Sequence, residues 1–272
     1  MTSEVEDEVY RVACGLPFSE YEKKLMEIGK NNPAIVINTL LQPEFICKSY
    51  QSNSVCKILK ELVKMYPSMI WYLASGLKFS DSSEEEDIKR RKLVKKIFME
   101  ISNENSRYNS EIIKEMCKIM FKNTGYEPFE IVSGIVLKNV ELSFILMEWL
   151  RKRLEKEKES VDKVYLRREM MNMLLDIMKH VETERRAAKI AESIIPQLGT
   201  DKFFEDALVE IAKKFYEAKK RVENWNCENE TIRNGLKRVN ERLRRWEEEY
   251  KRPNQVRAPV SGFRGTKHKH GF

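Results

Sequence analysis

The chain has 272 residues, 42% hydrophobic and 34% charged, a balance that supports a folded core and excludes disorder throughout. Ten glycines and eight prolines, five of the eighteen beyond residue 250, are too few for a protein of many short strands and point to helices. The net charge is +7, but six of the seven charges fall in residues 251–272, leaving 44 cations against 43 anions before them. A globally basic nucleic-acid-binding body is thereby excluded.

The chain begins with an acidic stretch, Met1 to Glu8, that lacks the basic start and apolar core of a signal peptide. Ser19 with Glu22 forms a capping box for a helix running to about Ile28. Pro33, Pro43, Pro67 and Pro128 each fall where a helix should begin, a first-turn position where the missing N–H costs nothing. In 54–66, Val55, Ile58, Leu59, Leu62 and Val63 form the stripe that one helix face presents to a core. The segment 84–101 repeats it with Ile88, Leu93, Val94, Ile97, Phe98 and Ile101, and Ser83 with Glu86 caps its start.

Further helices are expected over 110–122, 128–138, 140–157, 161–181 and 182–198, giving roughly nine to twelve elements before residue 200. The best breaks are the acidic 80–87 stretch and the step Gly199–Thr200. The longest nearly apolar run, Ile131 to Leu137, is far short of the ~20 residues a membrane crossing needs. The aromatics Trp71, Tyr72, Phe144, Trp149, Phe203 and Phe204 lie at helical spacing and are expected in the core. The mixed charges from Arg151 to Glu159 read as a solvated helix end.

Stacked antiparallel pairs of such helices would bury every stripe, and this resembles the general plan of HEAT and armadillo solenoids. No repeat of fixed period registers one pair on another, so an irregular helical domain over 1–199 is the alternative.

From Phe204 the rhythm changes to Leu208, Ile211, Phe215, Ala218, Val222, Trp225, Asn229, Ile232, Leu236, Val239, Leu243, Trp246 and Tyr250. Steps of four and three alternate without a slip, a heptad seam of the kind that faces a partner helix in a coiled coil. Phe215, Val222, Trp225, Leu236, Leu243 and Trp246 are therefore expected to bind a partner, with Asn229 fixing register or oligomer state. The preserved phase favours one continuous helix over 200–250. The polar stretch 224–230 offers a bend for a helix pair, and Gly235 weakens a continuous helix by ~1 kcal/mol.

The tail, 251–272, has no helix or strand pattern and is expected to be disordered when free. Arg252, Arg257, Phe263, Arg264, Lys267 and Lys269 suit threading along RNA phosphates while the aromatic stacks on a base.

The five cysteines Cys14, Cys47, Cys56, Cys117 and Cys227, odd in number and scattered, suit a reducing compartment, nuclear or cytoplasmic. With no C-x-x-C and only His180, His268 and His270, no metal site is expected. No phosphate-binding glycine loop, G-x-S-x-G elbow or H-E-x-x-H occurs, so neither a cofactor nor a small-molecule substrate is inferred. His180 and Glu184, four apart on one expected helix face, suit a surface contact better than an acid–base pair. The reading that results is a non-enzymatic helical scaffold that binds a protein partner within a larger intracellular assembly. An RNA-binding or ribonucleoprotein-associated factor acting through the tail is the alternative.

Overall fold

The computed structural model of the protein describes residues 2–15, 18–46, 52–79, 84–120, 126–156, 161–179 and 184–251. Among them the regular structure is helical, with fifteen α-helices and no strand. In chain order these are α1 (Thr2–Gly15), α2 (Phe18–Asn31), α3 (Pro33–Leu40), α4 (Pro43–Ile46), α5 (Ser52–Met65), α6 (Ile70–Ser75), α7 (Glu84–Glu104) and α8 (Asn109–Ile119). There follow α9 (Glu127–Lys138), α10 (Ser143–Lys156), α11 (Val161–Lys179), α12 (Glu184–Ile194), α13 (Lys202–Lys214), α14 (Tyr216–Asn224) and α15 (Glu230–Lys251).

The prolines act as starts. Pro33 and Pro128 occupy the first turns of α3 and α9, Pro43 opens α4, and Pro67 opens the short 3-10 turn before α6. In α5 the expected stripe of Val55, Ile58, Leu59, Leu62 and Val63 is buried, each side chain worth about 1.5–3 kcal/mol when removed from water. α7 begins at Glu84 as expected, but its first turns bury Asp87, Arg90 and Arg91 while Ile88 is only half-buried. The buried charges are paired: Arg90 donates to Asp87 at 2.5 Å and to the Lys78 carbonyl at 2.7 Å, and Arg91 donates to Glu127 at 3.1 Å.

Helices pack on their sequence neighbours and on the helix two places along, as α5 does on α7, α7 on α9, α8 on α10, α12 on α14 and α13 on α15. Several polar contacts between helices that are not sequence neighbours span 32 to 36 residues. Ser54 reaches Glu22 across 32 residues, Arg91 reaches Glu127 across 36, Lys138 reaches Asn103 across 35, Arg167 reaches Asp201 across 34, and Arg238 reaches Glu205 across 33. Between α5 and α7 the separation is 40 to 44, and Ser143 meets Ser193 across 50. Arg91, Lys95 and Lys138 meet Glu127, Glu130 and Asn103 in order, so α7 and α9 run in the same direction.

The 200–250 segment is not one helix. It folds as α13, α14 and α15, for local reasons. Phe215 takes an extended backbone (φ −131°, ψ 118°) and ends α13. Trp225 does the same (φ −72°, ψ 119°) after α14. The Asn229 side chain then accepts the Ile232 N–H at 3.2 Å, a helix cap where a coiled-coil register residue was expected. The heptad phase survives because each helix buries its own piece of the stripe: Phe204, Leu208 and Ile211 on α13, Ala218 and Val222 on α14, and Leu236, Val239 and Leu243 on α15.

Gly235 also has a reason. A Cβ there would lie 2.9 Å from the Cβ of Leu198, so the glycine lets α15 approach the turn before α13. Gly199, in that turn, holds a left-handed backbone at φ 85°, which an L side chain adopts only with strain. The apolar cluster runs from Val9 to Leu243 and crosses residue 199 without a break. Residues 252–272, which include the predicted RNA-binding Arg252, Arg257, Phe263, Arg264, Lys267 and Lys269, lie outside the described residues.

Candidate partner-binding site

Along one layer of the protein, opposite charges close the seams. Lys60 of α5 bridges Glu100 and Glu104 of α7 at 3.1 and 2.7 Å, and Lys95 of α7 meets Glu130 of α9 at 2.8 Å. The ammonium groups of Lys60 and then Lys64 hold the Glu104 carboxyl below the usual carboxylate range. Lys57, helped by Ser54, does the same for Glu22. At the far end Arg238 of α15 forks onto the buried Glu205 of α13 at 2.6 and 3.2 Å, and Arg242 meets Asp206 at 2.7 Å.

The seam between α8 and α10 is built differently. On α10, Leu146, Met147, Leu150 and Leu154 are buried, which turns Ile145, Trp149, Lys152 and Lys156 toward the adjoining face. On α8, burial of Ile112, Ile113 and Met116 leaves Lys114 and Lys118 on the opposite wall. Between them lies a groove. One end, lined by Lys118, Met120, Trp149, Lys152, Arg153 and Lys156, has a cavity volume of about 280 Å³. The other, of about 290 Å³, adds Lys114, Ile145 and Glu148, and Cys117 lies in the floor of both.

The lysines on both walls bind acids of their own helix. Lys118 holds Glu115 at 2.7 Å, Lys114 holds Glu111 at 3.5 Å, and Lys152 holds Glu148 at 2.6 Å. Lys152 thereby keeps the Glu148 carboxyl below its ordinary range. Cations from two helices thus converge over an aromatic and aliphatic floor. Burial pushes the Cys117 thiol up, so it stays protonated and is no nucleophile at neutral pH. Each compartment lies at the lower edge of the ~300–1,000 Å³ range of small-molecule pockets and can take a large side chain.

No protein-family model, curated protein or solved structure matches the chain. The site therefore rests on its geometry. Among the described residues no three His, Cys, Asp or Glu side chains are grouped to hold a metal ion, and no helix is long and apolar enough to cross a membrane. His180 lies outside the described residues, so the expected pair with Glu184 does too.

The heptad residues are distributed within the chain rather than along one outward edge. Val222, Leu236 and Leu243 are buried at 1%, 5% and 2% exposure, while Phe215 and Trp225 pack half-buried against the same core. Asn229 caps α15. Trp246 is half-buried and stacks on the exposed Tyr250, with ring centroids 5.5 Å apart. Glu247, Glu248 and Glu249 separate that pair in the sequence, an acidic setting unfavourable to phosphates.

The groove residues escaped the sequence reading. By spacing alone Trp149 reads as core and Lys152 and Lys156 as a solvated helix end. The signal that could have found them is the i, i+3, i+7 series Trp149, Lys152, Lys156, which puts an aromatic and two cations on one helix face. Nothing in the sequence pairs that face with Lys114 and Lys118, some thirty residues earlier.

Proposed function

We propose that the protein is a non-enzymatic helical scaffold, a solenoid of stacked antiparallel helix pairs, that binds a protein partner through the α8–α10 groove. The solenoid reading draws on the recurrence of cross-helix contacts at 32 to 36 residues, the spacing expected when one helix pair stacks on the next. The function draws on one observation: lysines of two helices converge over Trp149, in a protein whose other charged seams join opposite charges. Lysines that pair only with acids of their own helix do nothing to close the seam between the two helices, whereas a binding surface can use them. Among the described residues Cys14, Cys56, Cys117 and Cys227 are free, which suits work in a reducing compartment.

The test is site-directed photo-crosslinking in the cells that make the protein. A photoreactive residue at Lys114 or Lys156 should capture a discrete protein that the same residue at Lys95, on the ion-paired layer, does not. Capture from neither groove position, or equal capture from all three, contradicts the proposal.

A second reading, RNA binding through the tail, is favoured by the six cations and absence of acids in 251–272. A chain ending at Tyr250 should then lose the steep salt dependence of RNA affinity shown by the full chain. Affinity that is absent in both forms, or identical in both, removes this reading.

A further inference from the structure

We infer that the groove takes a short acidic segment of the partner carrying one large apolar anchor side chain; this rests on the scaffold reading above and specifies its ligand. The first observation is the floor. Ile145 and Trp149 are half-buried and packed against the core, and Met120 beside them is buried, so an apolar side chain laid there gains contact on both sides without displacing the fold. Each compartment, at about 280 and 290 Å³, has room for one such side chain.

The second observation is the rim. Lys118 and Lys152 line both compartments, and both are well exposed, at 67% and 56% of their side chains. Lys156 adds a cation at the end where the described lining residues include no acid. Carboxylates flanking an anchor would reach these ammonium groups, and the long stems let each lysine turn from its own glutamate to the ligand at little cost.

The length of the site sets the length of the motif. From Ile145 to Lys156 along α10 is ~16 Å at 1.5 Å per residue, which an extended chain covers in ~5 residues at about 3.3 Å each. An acidic peptide fits better than RNA for two reasons. Trp149 is half-buried and packed against the core, which leaves less of its ring for a base to stack on than an exposed aromatic platform offers. The nearby glutamates Glu111, Glu115 and Glu148 would oppose a continuous run of phosphates while leaving room for two or three carboxylates.

The experiment is fluorescence anisotropy on the full chain with a labelled short peptide of Asp and Glu around one central Phe. The controls are the same peptide with Ala for Phe, a scrambled-charge peptide with Lys for the acids, and a labelled oligouridylate. The acidic Phe peptide should bind, and binding should weaken about tenfold or more with Ala at the anchor, a single step on the affinity scale. A loss of similar size is expected in Lys118→Glu/Lys152→Glu and in Trp149→Ala, with circular dichroism confirming that each variant is folded. Lys118→Glu/Lys152→Glu carries the test if Trp149→Ala does not fold. Affinity indifferent to the anchor or to the groove charges, or oligouridylate bound more tightly than the peptide and released by the same variant, overturns the inference. If the peptide does not bind while crosslinking from Lys114 or Lys156 still captures a protein, the acidic ligand is wrong and the scaffold stands. If both fail, both fall.

Discussion

The α13–α15 seam and the α8–α10 seam are each formed by helices that pack two places apart in the chain, yet they end in opposite states. In the first, Leu236, Val239 and Leu243 are buried, Gly235 lets the backbones close up, and Arg238 and Arg242 meet Glu205 and Asp206 across the seam. In the second, the helices bury their apolar stripes inward but leave lysines on both facing edges. Apolar periodicity reports that a face is covered and does not report by what. Charge sign across a seam reports whether the fold itself closes it.

The largest effect that can break this comparison is at the closed seam. Leu243→Ala should destabilise the isolated chain by about 2–5 kcal/mol, the cost of a cavity in a packed core, measured by urea denaturation. Its oligomeric state by sedimentation should not change. A variant that is as stable as the wild type but dissociates from a dimer would restore the coiled-coil reading. Next comes the turn that aims α15: Gly199→Ala places a Cβ at φ 85° against Thr231 and should cost at least ~1–2 kcal/mol through the left-handed backbone alone.

These elements also show what the sequence could convey. Helices, their proline starts and the stripes of α5 and most of α7 were legible because a 3.6-residue period needs only local order. The breaks at Phe215 and Asn229 were not, since three helices that each bury one face preserve a heptad phase as well as one helix does. The cross-helix contacts at 32 to 36 residues were hidden for a related reason: they join residues of different helices, with no shared residue pattern to mark them. The groove was illegible because its walls come from separate helices. Only the fold brings Lys118 and Lys152 together.

Acid should loosen the ion-paired layer before the core. The Glu22 and Glu104 carboxyls are held below the ordinary range by Lys57 and Lys60 respectively. A depressed carboxyl stabilises the fold fully above its unfolded value of about 4.3 and loses that contribution as pH falls through the lower folded value. Stability should therefore be flat in this respect above roughly pH 5 and decline below about pH 4. Urea midpoints should decline less over that range in Glu104→Gln, which has already lost the interaction.

A small effect on stability is expected where the effect on function is largest. Lys118→Glu/Lys152→Glu should leave the unfolding free energy from urea denaturation within about 1 kcal/mol of wild type, because each exchange disturbs only an exposed ion pair within one helix and neither ammonium closes the seam. Carried out on this variant with the photoreactive residue at Lys156, in-cell crosslinking tests the central claim most directly. Loss of the captured protein at unchanged stability is the predicted result. Capture at the wild-type level, or a loss that appears only together with unfolding, would contradict the assignment of the α8–α10 groove as the docking surface.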